Sequence, residues 1–140
     1  MSTTTYLRSR VDRSPLVLAL AVGDLLALST FVVLGAQNHG ERPFANPEVV
    51  VGALAPFLLA WWAVSLVGGL YTSDAVLGPR RALSWGLPAW VATVVIGQAL
   101  RATPLFRGGF ALTFMLVTLV VGGALVLGWR VLFASVLARR

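Results

Sequence analysis

Residues 16–30 read LVLALAVGDLLALST, an apolar run interrupted by a single carboxylate, Asp24. The run lies inside a longer stretch, Pro15 to Gly35, that carries no other charge. A helix needs roughly 20 largely apolar residues to cross about 30 Å of hydrocarbon. The stretch is long enough, so it reads as a membrane span. Three basic residues, Arg8, Arg10 and Arg13, precede it, and VLGA before Gln37 has the look of a cleavage site. The apolar core is too long for a signal peptide and holds Asp24 in its middle, which predicts a retained span.

Working outward, three further runs qualify: Val49 to Tyr71, Ala82 to Leu100, and a last one over about 109–130, from Phe110 through Trp129, with helical continuation through RVLFASVLARR. The segments between them, AQNHGERPFANPE, TSDAVLGPRR and RATPLFRGG, hold the turn residues. Hydrophobic residues make up 58% of the 140 and charged ones 11%, a balance far from that of soluble domains. The expectation is an all-α integral membrane four-helix bundle, one transmembrane domain over 1–140. Short connections make consecutive helices antiparallel neighbours. Ala36 to Glu48 reads as the largest exposed connection.

The net charge of +6 comes from eleven arginines, with no lysine, against five acids. The arginines flank apolar runs instead of gathering on one solvated face, which argues for orientation in a bilayer and against nucleic acid. Arg8, Arg10, Arg13, Arg80, Arg81, Arg130, Arg139 and Arg140 fall on one side; Arg42, Arg101 and Arg107 fall on the other. That bias places both termini in the cytoplasm of a plasma-membrane protein. Aromatic residues fit these edges, with Tyr71, Trp85 and Trp129 inside and Phe44, Phe106 and Phe110 outside. No cysteine and a single histidine leave no metal site to expect, and no cofactor is expected. No nucleophile, base and orienting group occur at usable spacing, so an enzyme is not expected.

Counting along the helix puts Asp24 within roughly 2 Å of the bilayer midplane. A central aspartate costs about 2.5 to 3.5 kcal/mol on insertion scales, so it must face the bundle interior. Trp61, Trp62, Trp90, Thr93 and Thr118 sit at similar depth and are its candidate partners, because a mid-membrane indole needs a buried acceptor. Arg130 counts as about 10 Å nearer the cytoplasm by helical rise. A tilted helix could close that gap, but the expectation is that Arg130 snorkels to the inner interface. Ala19, Gly23 and Ala27 recur at every fourth position, as do Ala89, Thr93 and Gly97. Such small-residue faces allow close helix approach, which predicts contact between the first and third spans. Pro88 is a potential kink. At the outer rim, Arg101 is expected near the first loop, beside His39, Glu41 or Glu48. His39 itself reads first as a solvated loop residue.

The motifs VGDLLAL, LGAQNHG, GQALR and LGWR, with Gly23–Asp24, His39–Gly40, Arg101 and Trp129–Arg130 within them, resemble a family of small four-helix prokaryotic membrane proteins classed as a domain of unknown function, numbered 3054. The resemblance implies fold and topology and no activity. A second likeness is architectural. The small multidrug resistance exporters are also four-helix proteins with one acid in the middle of the first span, where it exchanges protons for a cationic substrate. They usually carry glutamate there and lack a long first loop. The expected function is therefore a structural, accessory or ligand-binding multi-pass membrane protein organised around Asp24, partnered by lipid and by a second copy or another membrane protein. The alternative is a proton-coupled exporter.

Overall fold

The computed structural model describes residues 2–106 and 108–140. Arg107, expected at the outer rim, and the side chain of Arg8, expected at the inner one, lie outside the described residues. A short helix α1 (Thr3–Ser9) leads into α2 (Pro15–Asn38), α3 (Pro47–Gly68) and α4 (Pro79–Arg101). The last helix, α5 (Leu112–Ala138), contains one π-helical stretch at Thr118–Gly122. All four long helices are long and apolar enough to cross a membrane. Leu18, Leu26, Val67, Val95 and Val120 stay exposed on their flanks, as a bilayer solvent permits.

Proline opens α2, α3 and α4 at Pro15, Pro47 and Pro79, where its missing N–H leaves no hydrogen bond unmade. The Ser14 hydroxyl caps α2 by accepting from the Val17 N–H. At the other end of α3, Gly69 takes the left-handed conformation, φ 68°, which a side chain would resist. The chain then turns back on itself, and Leu70 donates its N–H to the Ser65 carbonyl at 3.0 Å. This reversal buries Leu70 and Tyr71 instead of leaving them at the interface. Tyr71 is therefore not the inner-edge aromatic expected of it.

Two further expectations need correction. Ala36 to Glu48 is not the largest connection, because α2 continues to Asn38 and α3 starts at Pro47, leaving residues 39–46. The stretches 69–78 and 102–111 are longer, the first with a 3₁₀ turn at Ser73–Val76. Nor do the first and third long helices form the close seam. Instead α2 packs chiefly on α3 and α5, and α4 on α3 and α5. The small-residue faces are occupied by aromatics: the Trp129 indole lies over Gly23 and the Phe57 ring over Gly97. Bulky rings need the same missing Cβ that a close helix–helix approach would use, so the spacing alone does not decide between them.

Leu28, Trp61, Trp90, Val94 and Val126 make the centre of the core. Trp61 and Trp90 meet edge to face, centroids 6.0 Å apart.

Candidate functional site

The site is assembled by two neighbouring pairs from α2 and α5. Trp129 packs on Gly23, where any Cβ would overlap its indole, and its N–H donates to the Leu20 carbonyl at 3.3 Å. The next residue along each helix completes the second pair. Arg130 Nε donates to Asp24 Oδ1 at 3.0 Å and Nη2 to Oδ2 at 2.6 Å, a two-point guanidinium–carboxylate pair. Both residues are 1% exposed. Arg130 Nη1 donates to the Leu70 carbonyl at 3.2 Å.

Tyr71 closes the network. Its hydroxyl donates to Asp24 Oδ2 at 2.7 Å and accepts from the Trp61 N–H at 2.9 Å. The guanidinium lies 5.2 Å from the Trp61 ring and 5.1 Å from the Tyr71 ring, within cation–π range. Each polar group therefore has a partner, which is the condition under which a buried ion pair is tolerated in a low-dielectric interior.

Arg130 thus does not snorkel to the inner interface. The apolar run stops near Trp129, which would place Arg130 at the margin of the fourth span, whereas α5 extends to Ala138. Counting residues from the centres of Pro15–Asn38 and Leu112–Ala138 at the helical rise reduces the expected offset between Asp24 and Arg130 to about 4 Å, within an arginine's reach. Of the other expected partners of Asp24, Trp61 joins the network, its N–H donating to the Tyr71 hydroxyl that donates to the carboxylate, and the rest are placed elsewhere. Trp62 is 47% exposed on the outward face of α3. The Trp90 N–H donates to the Leu119 carbonyl at 3.2 Å, inside the π-helical stretch, where the register change loosens the backbone ladder. Thr93 and Thr118 each donate to a carbonyl one turn earlier, Ala89 and Phe114. Sequence reasoning missed Tyr71 as a partner of Asp24. The signal was Gly68–Gly69 followed by Leu70, the pattern of a helix stop with an apolar residue folding back beneath it.

Replacing Tyr71 by Phe removes the bridging hydroxyl and leaves the Trp61 N–H buried without an acceptor. We expect Tyr71→Phe to lower unfolding stability by about 1–3 kcal/mol in detergent micelles. Trp62→Phe, on the outward face, should change it by less than about 0.5 kcal/mol.

The carbonyls near the end of α3 collect two more arginines. Arg10 Nε donates to Leu66 O at 3.0 Å, with Nη2 on Val67 O, and Arg81 Nη2 donates to Gly69 O at 2.8 Å. With Arg130 on Leu70, three cations sit at the negative end of the helix dipole. Arg81 also pairs with Asp74 at 3.2 Å. The Thr72 hydroxyl first, and Arg81 second, hold the Asp74 carboxyl below the usual range.

At the opposite end of the bundle, His39 is exposed and its Nδ1 lies 2.8 Å from the Gly35 carbonyl, closing the last turn of α2. Arg101 stacks on Phe114, 4.1 Å from the ring centroid. It lines a cavity of about 230 Å³ together with His39 and Glu41, and a second of about 680 Å³ with Glu48. The residues expected at the outer rim are thus near one another, with no ion pair joining them among the described residues.

Over residues 21–133 the chain matches the family described as protein of unknown function (DUF3054), and it belongs to that family. No curated protein and no solved structure matches it. The matched region contains both halves of the Gly23–Asp24 and Trp129–Arg130 contact.

Proposed function

We propose that this member of the family is a structural or accessory multi-pass protein of the plasma membrane, a non-catalytic bundle of antiparallel neighbours whose register is fixed by Asp24 and Arg130. One observation carries the reading. Both oxygens of Asp24 are engaged and the residue is 1% exposed. A proton-exchanging carboxylate needs access to water and to substrate, and here an arginine and a tyrosine take those positions. This favours a fixed contact over the exporter alternative.

Both termini belong in the cytoplasm on this reading. Moving Arg130 from the inner rim into the core leaves seven arginines against three, so the bias persists. Cysteine labelling tests it: Ser2→Cys should react only after permeabilisation and Asn38→Cys from outside intact cells. Labelling of Ser2→Cys from outside would overturn the orientation. The partner is a second copy or another membrane protein, met through the apolar outer flanks.

Proteoliposomes measure the role itself. Proton and cationic-dye fluxes should stand at background for the native chain and for Asp24→Asn alike. A native flux abolished by Asp24→Asn would instead establish the exporter, because an amide cannot exchange protons in the relevant range.

A further inference from the structure

The rim where α3 begins and α4 ends presents charges that no ion pair among the described residues joins. Arg101 is half-buried, its Nε is sealed from solvent, and it has no hydrogen-bond partner among the described residues. Its position is nevertheless defined. The ring of Phe114 supports one face, and Gly108 passes so close that any Cβ there would overlap the guanidinium. The Gly109 N–H returns to the Arg101 carbonyl at 2.9 Å, fixing the loop over the side chain. One turn earlier on the same face of α4, Gln98 is 1% exposed and both its amide oxygen and its amide nitrogen lack partners among the described residues. A stacked, half-buried guanidinium with no side-chain hydrogen bond among the described residues is a polar site built into an apolar helix end.

The cavity of about 680 Å³ at Arg101 also holds Glu48, in the first turn of α3, and its walls include Val49, Ala53 and Leu105. The carboxylate and the guanidinium form no ion pair among the described residues, so they have not collapsed onto each other. A purely anionic ligand would meet Glu48, and a purely cationic one would meet Arg101. A zwitterion satisfies both, and apolar walls at a helix end suit an amphiphile whose chains continue along the bundle. We propose that this rim binds a zwitterionic membrane lipid of phosphoethanolamine type, with its phosphate on Arg101 and its ammonium on Glu48. A primary ammonium, which donates hydrogen bonds, fits a carboxylate better than a quaternary one.

Native mass spectrometry of the detergent-purified full chain tests this, titrating phosphatidylethanolamine, phosphatidylcholine, phosphatidylglycerol and diacylglycerol of identical acyl chains. Phosphatidylethanolamine should bind at least about tenfold tighter than diacylglycerol, the worth of one charge-assisted contact, and tighter than the other two. Arg101→Gln should lose about tenfold for phosphatidylethanolamine and nothing for diacylglycerol. Glu48→Gln should erase the preference over phosphatidylglycerol. Equal affinity for all four lipids on the native chain would overturn the proposal whatever the variants do. So would unchanged phosphatidylethanolamine binding in a folded Arg101→Gln chain. Soluble phosphoethanolamine binding as tightly as the lipid would overturn the amphiphile.

Discussion

Arg130→Met lowers the stability of the folded bundle by about 3–5 kcal/mol, the cost of leaving a buried carboxylate without its cation. The expectation rests on three hydrogen bonds that this one side chain makes. Asp24 is deprived of both guanidinium donors, and the Leu70 carbonyl of the donor that holds the reversed chain after α3. Tyr71 alone cannot replace them, since its hydroxyl reaches only Oδ2. Reversible unfolding in mixed micelles reads the effect. Arg139→Met, at the exposed end of the chain, is the control and should lie within about 0.5 kcal/mol of the native value.

Gly23→Ala is expected to match Tyr71→Phe in cost. It adds one methyl group and should nonetheless cost about 1–3 kcal/mol, because the new Cβ occupies the volume of the Trp129 indole. The displaced ring would also lose its hydrogen bond to the Leu20 carbonyl and tilt α5 away from α2, lengthening the neighbouring Asp24–Arg130 contact. Trp129→Leu in the Gly23→Ala background should restore part of the loss, since the smaller side chain leaves room for the methyl group. Gly35→Ala, whose Cβ would meet nothing within 4 Å, is the matched control on the same helix and should show no such cost. The same unfolding assay separates them.

The four spans were legible because hydrophobic length is a local property: each run carries its own signal and its own breakers. The inward direction of Asp24 was legible too, since the desolvation cost of a carboxylate leaves little choice. Its partners were not. The point where the apolar run stops gives Arg130 the wrong depth, because the helix continues through RVLFASVLA, and the difference moves the arginine by about the length of its side chain. Tyr71 was hidden by a chain reversal that depends on one left-handed glycine, Gly69. The indoles misled for another reason. Each needs an acceptor, but a backbone carbonyl freed by a π-helical stretch serves Trp90 as well as a carboxylate would, and no pattern in the sequence marks that stretch. At the rim, the nearness of Arg101 to His39, Glu41 and Glu48 followed from helix ends alone, whereas the stacking on Phe114 required the tertiary structure.

The most direct measurement of the pairing is a double-mutant cycle between Asp24 and Arg130, using Asp24→Leu, Arg130→Met and the two combined, followed by unfolding in mixed micelles. Each single change strands a buried charge, while the double change removes both and leaves apolar side chains in their place. If the pair fixes the register of α2 and α5 as a contact, the double variant loses less stability than either single one, so the coupling is at least as large as one single loss, about 3–5 kcal/mol. Additive losses, with coupling near zero, would contradict it.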